Sequence, residues 1–290
     1  MLGMRGIRPL IFAPLAVAAA LPSYAQIDRV TGRNFATRSE VLATHGMVCT
    51  SVPAATQVGL EILKRGGSAV DAAIAANATL GLMEPISNGI GGDLFAIVYS
   101  AKDNKLYGIN GSGRSPLGLS YEQMKTELGK LRRQTIPPLG MLPISVPGAV
   151  DAWAELHKKF GKLKLSDDLA PAIHYAEDGF PVTDLIAYYW AFGPRIYRGL
   201  PAAFIETYTL PMDPARPWAD ATPNRRDGAP APNAERRTPA NGDIFTNPDL
   251  GRTLRLIGEK GRDAFYTGQT TRKISAYMPA NTRYLRRSDG

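Results

Sequence analysis

Between Gly66-Gly67 and Pro85 runs a fifteen-residue segment, Ala69 to Met83, in which six residues are alanine. Alanine is the best helix former, so the segment is a helix, and side chains that short let another layer approach closely. Ser68 with Asp71 three residues on has the spacing of a capping pair, although the box prefers Glu or Gln. Upstream, Val58, Leu60, Ile62 and Leu63 have helical spacing over Ala54 to Arg65, and Gly66-Gly67 is a stop that tolerates positive φ. Two helices joined by so short a turn, one of them rich in alanine, point to a layered fold in which helices pack against a sheet.

The sheet follows. Ser87 to Asp93 is a flexible turn leading to Leu94-Phe95-Ala96-Ile97-Val98-Tyr99, an almost wholly apolar run that predicts a strand buried on both faces. Lys102-Asp103-Asn104 makes the turn. Leu106 to Ile109 returns as the second strand of a hairpin and delivers Gly111-Ser112-Gly113-Arg114-Ser115-Pro116 to its far end. An earlier short strand is expected over His45 to Val52, ended by Pro53. Further helices are expected within 117–140, over Ala149 to Phe160, from Asp167-Asp168 and Pro171 through Glu177, from Asn247-Pro248 through Ile257, and near Arg262 to Tyr266. Seven prolines between Pro211 and Gly242 replace periodicity with a long exposed loop or lid.

Hydrophobic residues make up 44% and charged residues 21% of the 290, the balance of a folded chain rather than a disordered one. The single cysteine, Cys49, excludes an internal disulfide and a multi-cysteine metal site. The net charge of +8 raises the question of nucleic acid, but no basic stripe interleaved with aromatics exists, so the excess is a solvated basic face. At the N-terminus Arg5 and Arg8 precede an apolar run from Pro9 to Leu21, then Pro22-Ser23-Tyr24-Ala25 before Gln26. That is the pattern of a secretory signal peptide, residues 1–25, and the run is shorter than a bilayer span needs. Export to the periplasm or medium is expected, with no membrane span after signal removal.

Several chemistries are excluded by spacing. No G-x-S-x-G elbow occurs, since Ser112 has Asn110 and Ser115 has Leu117 where glycine is required. His45, His157 and His174 are isolated along the chain and read as surface or packed histidines, and no residue pattern calls for a metal, nucleotide or other cofactor. What remains is Arg114, leaving a strand through glycines, which can clamp a carboxylate by two parallel hydrogen bonds. The residues alone point to an exported binder of a small acid.

The blocks Gly66 to Ala73, Met83-Glu84-Pro85, Gly89-Ile90-Gly91-Gly92 and Gly113-Arg114-Ser115-Pro116 resemble, in order and spacing, the large subunit of the γ-glutamyltranspeptidases. Val146-Pro147-Gly148, Leu169 to Ile173, Gly179 to Val182, Gly242 to Phe245 and Asp263 to Gly268 extend the likeness over roughly residues 40–270. The resemblance implies an α+β fold, the four-layer αββα sandwich of the N-terminal-nucleophile hydrolases, made as a proenzyme that cuts itself into two subunits. It implies transfer of a γ-glutamyl group from glutathione or a related amide onto a threonine whose own α-amine is the base, then to water or an amino acid.

By position, Arg114 is similar to the family arginine that binds the donor's α-carboxylate. Asp93 and Leu94 stand where many members continue with glycine, which leaves room for a different donor. The family's Thr-rich segment followed by histidine does not occur between Tyr266 and Gly290, and Thr267, Thr270 and Thr271 are not assigned as nucleophile. Residues 26–290 therefore read as an incomplete large subunit with a Pro-rich loop at 211–242, no catalytic residue of its own and a small subunit as its missing partner. Alone it is expected to be inactive. Two alternatives stay open: a related amidase or acylase with another acyl donor, and a non-catalytic binder of small carboxylates or inactive fragment.

Overall fold

A computed structural model of the chain describes residues 41–137, 142–192, 202–212 and 236–277. The described residues from Ala43 onward belong to one compact unit. The expected signal peptide and the middle of the Pro-rich loop, 213–235, lie outside the described residues.

Helix α1 (Pro53–Lys64) starts on the proline that ends the preceding segment, where its missing N–H costs nothing. The turn after it passes through Gly66 at φ 89°. Helix α2 (Ala69–Met83) carries the capping box its spacing predicts. The Asp71 N–H donates to Ser68 Oγ at 3.1 Å, and the Ser68 N–H donates to Asp71 Oδ2 at 2.7 Å. Aspartate substitutes for the usual glutamate or glutamine of that box.

Most of α2 is buried, and only the stripe of Ala69 and Ala73 is exposed. Val70, Ile74 and Ala78 join the main core, Ala72 and Ala75 face α1, and Leu82 and Met83 enter a second core. The alanines permit this closeness, as the composition of the segment requires. The helical layer runs from α1 to α2, then to the helix at Leu165–Asp178 and on to the helix at Pro248–Lys260.

The hairpin is formed by β1 (Leu94–Ser100) and β2 (Lys105–Gly111), antiparallel, with Leu94 opposite Gly111. Its turn needs Asn104 at φ 51°. Helix α3 (Tyr121–Lys130) follows, and then α4 (Ala149–Phe160), which contacts α2 on one side and the hairpin on the other. Trp153 of α4 is buried, its indole N–H donating to Asn77 Oδ1 of α2 at 2.9 Å.

Three expectations need correction. Strand β1 is buried on one face only: Leu94, Ala96 and Val98 pack on the main core, while Phe95, Ile97 and Tyr99, with Leu106 of β2, are 62–77% exposed because nothing among the described residues covers them. No strand forms over 45–52, because no described segment pairs with it, although Val52 itself is extended at φ −118° and ψ 121°. Helix α5 (Leu165–Asp178) begins two residues before Asp167, and Pro171 lies inside it rather than opening it.

Short ribbons join distant blocks. β3 (Phe180–Pro181) pairs with a strand at Ile244–Phe245, and Leu210–Pro211 pairs with Arg236–Arg237, tying the ends of the Pro-rich segment. The first of these ribbons carries the second core, in which Trp190 and Phe245 meet edge to face at 4.9 Å. Sequence reading missed the helices Asp184–Trp190, Ala202–Tyr208 and Gln269–Tyr277.

Candidate functional site

At the end of the hairpin nearest α4, three glycine-containing turns converge. The Gly148 and Ala149 N–H groups both donate to the Gly92 carbonyl, at 2.9 and 3.0 Å. The Val146 N–H donates to the Arg114 carbonyl at 3.0 Å. Glycine is required by this closeness: a Cβ on Gly113 would overlap the Val146 carbonyl, and one on Gly148 would overlap that of Gly111.

Asp93, the first residue before β1, bridges two of the turns. Its Oδ1 accepts from the Gly113 N–H at 2.7 Å and its Oδ2 from the Ser112 hydroxyl at 3.3 Å. The backbone on both sides of Arg114 is therefore fixed, by Asp93 through Gly113 and by Val146 through the Arg114 carbonyl. The Arg114 side chain is exposed and makes no ion pair among the described residues. An exposed guanidinium on a braced backbone can meet an incoming carboxylate with both arms of its fork.

The third turn is bolted from behind. The buried Tyr266 hydroxyl donates to the Pro147 carbonyl at 2.9 Å and accepts the Asp151 N–H at 3.0 Å. Burial pushes the phenol up to about 12, so it stays a neutral donor. Arg262 pairs with Asp151 and lies over the Tyr266 ring, 4.8 Å from its centre. The Gly89 to Gly92 turn is engaged in structure through the Gly92 carbonyl and a Gly92 N–H to Gly89 O bond of 3.2 Å.

Sequence reasoning singled out Arg114 and missed the bracing roles of Asp93 and Tyr266. Asp93 had a signal, its departure from glycine, and Tyr266 sits in a recognisable block, but only three-dimensional contact gives either a role. His157 is a packed histidine, as its sequence reading allows, and it lies beside the buried Asp71 and Asp168.

The profile of the family described as gamma-glutamyltranspeptidase matches residues 55–289. The glutathione hydrolase-like YwrD proenzyme of Bacillus subtilis is 34% identical over 246 residues, covering 84% of this chain and 41% of that protein. Among solved structures, the cephalosporin acylase from Bacillus halodurans is 38% identical with a TM-score of 0.71, over 88% of this chain and 43% of that one. The gamma-glutamyltranspeptidase from Pseudomonas nitroreducens, complexed with L-DON, is 30% identical with a TM-score of 0.64, over 81% and 61%.

The fold is that of the N-terminal-nucleophile hydrolases, of which the described residues supply a helical layer and one hairpin of sheet. The chain belongs to the γ-glutamyltranspeptidase family. It spans about two-fifths of the length of the curated relatives it matches. No described helix is long and apolar enough to cross a membrane.

Proposed function

We propose that this chain is the large-subunit part of an exported γ-glutamyltransferase or glutathione hydrolase. Arg114 binds the α-carboxylate of the γ-glutamyl donor. The threonine nucleophile is supplied by a small-subunit sequence outside this chain, so that residues 26–290 alone do not catalyse acyl transfer. Residues 1–25 act as the signal peptide, and no cofactor takes part.

The observation that carries the reading is the braced Arg114, exposed and unpaired among the described residues at the meeting of three family blocks. A second reading, a related acylase with another donor, is favoured by the 38% identity to a cephalosporin acylase and by Asp93.

The test begins with the DNA beyond the codon for Gly290, searched for a Thr-rich segment followed by histidine. The protein carrying that segment is then assayed on glutathione and on a cephalosporin side-chain amide. Hydrolysis of glutathione, with Arg114→Ala raising KM about 10–100-fold as loss of a charged bidentate contact should, supports the first reading. Turnover of the cephalosporin alone supports the second, and an Arg114→Ala variant with unchanged KM for either donor refutes the role of Arg114.

A further inference from the structure

Away from that site, three helices bring together a group that the proposed chemistry does not use. Asp71 is in the first turn of α2, Asp168 in the first turn of α5 and His157 in the last turn of α4. Both carboxylates are fully buried, and the imidazole, 23% exposed, closes the group on its solvent side.

The two aspartates differ in what surrounds them. Asp71 is held by backbone N–H groups: Ser68 and Lys162 donate to its Oδ2 at 2.7 and 2.9 Å, and Leu163 at 3.3 Å. Gly161 allows the approach, since a Cβ there would come within 3.0 Å of Asp71 Oδ1. Asp168 has no such partner: neither oxygen is hydrogen-bonded among the described residues. A buried carboxylate without partners is costly unless a cation or a proton neutralises it.

The distances favour a shared ion over hydrogen bonds. His157 Nε2 lies 3.7 Å from Asp168 Oδ2 and 4.0 Å from Asp71 Oδ1, beyond hydrogen-bonding reach, and the three ligand atoms lie within 4.8 Å of one another. A tetrahedral ion with bonds of about 2.1 Å sets its ligands roughly 3.4 Å apart. The two His157–aspartate separations, 3.7 and 4.0 Å, would close by roughly 0.3 and 0.6 Å. The Leu163 carbonyl, now 2.9 Å from Nε2, would become the fourth ligand by moving out to the roughly 3.4 Å spacing.

We propose that Asp71, His157 and Asp168 form a binding site for one divalent cation of the zinc type. One imidazole with carboxylate and carbonyl oxygens suits such ions better than hard magnesium, which prefers oxygen and water alone. The ion would clamp the N-terminal ends of α2 and α5 to the C-terminal end of α4. Because a carbonyl only accepts, Nε2 carries a proton in the unbound cluster; on binding that proton leaves to solvent, the bond to the Leu163 carbonyl is released, and Nδ1 holds the ring's one proton, taken from solvent if the imidazole was neutral.

The full chain, stripped with chelator, is dialysed against zinc chloride, with magnesium chloride in parallel. Bound metal is counted by elemental analysis, and the thermal midpoint is recorded at each concentration. The expected result is one zinc per chain and a midpoint that rises with zinc and not with magnesium. Asp168→Asn should lower zinc affinity by at least about tenfold. His174→Ala, which removes the exposed His174–Asp178 pair, should leave it unchanged. The proposal is overturned if the unaltered chain binds no zinc, or if Asp168→Asn binds it as tightly. Visible absorption of the cobalt(II)-loaded unaltered chain is a check that needs no variant: the weak spectrum of a fully hydrated ion would also overturn the proposal.

Discussion

At Tyr266 one hydroxyl serves two backbone groups more than a hundred residues away in sequence, Pro147 O and Asp151 N. Its removal in Tyr266→Phe leaves both without that partner in a buried place, at a cost of about 1–3 kcal/mol. The measurement is the denaturant midpoint of the chain. A loss below a few tenths of a kcal/mol would mean that the turn at Val146-Pro147-Gly148 is held by packing alone. Asp168 calls for the opposite sign. In chelator and well above pH 7, where the Asp168 carboxyl, raised to about 7 by burial, is ionised, Asp168→Asn removes a buried charge that no hydrogen bond satisfies, so the thermal midpoint should rise by several degrees, as about 1–2 kcal/mol does in a chain of this size. A fall would show that the carboxylate has a stabilising partner when no metal is present. The turn that presents Arg114 was legible in the sequence because Gly111 and Gly113 at a strand end mark a close backbone approach. Asp93 and Tyr266 were not, since bracing depends on which turns meet, and sequence spacing does not encode that meeting.

Among the elements, those with both periodicity and end signals were legible. The α2 capping box, the Pro53 start and the hairpin turn at Asn104 all rest on local chemistry. The cap is measurable: Ser68→Ala should destabilise the chain by about 1 kcal/mol, because Oγ satisfies an N–H that the helix cannot. Asp71 would keep its bonds from Lys162 and Leu163 in that variant, so hydrogen exchange should speed up in the first turn of α2 and not at 162–163. Uniform acceleration across both would mean that cap and cluster unfold as one unit. Elsewhere local signals misled. Pro171 reads as a helix opener, yet tertiary burial of Leu169, Ala172 and Ile173 extends the helix through it. The helices at Asp184–Trp190 and Gln269–Tyr277 are short or weakly apolar, and packing onto neighbours sustains them rather than pattern.

For the molecule as a whole, the informative error concerns β1. Its unbroken apolar run predicts burial on both faces, and the described residues bury only one. Phe95, Ile97, Tyr99 and Leu106 form an apolar outer face, and the edge of β1 away from β2 is unpaired among the described residues, beside a cavity of about 420 Å³ walled by α2 and Trp153. A sandwich with a second sheet on that face would use every one of these side chains, so the sequence is consistent with the complete family fold even where the described residues supply only one hairpin. Without the second sheet, such a face and a free edge favour association between copies. Residues 26–290 at tens of micromolar should therefore sediment as a mixture of oligomers. Ile97→Lys, at the centre of the exposed face and outside the Arg114 site, should shift the distribution towards monomer without lowering the thermal midpoint. Sedimentation of the unaltered chain as a single monomer species would show that segments outside the described residues already cover this face, and the need for a separate sheet to complete it would fall with that result.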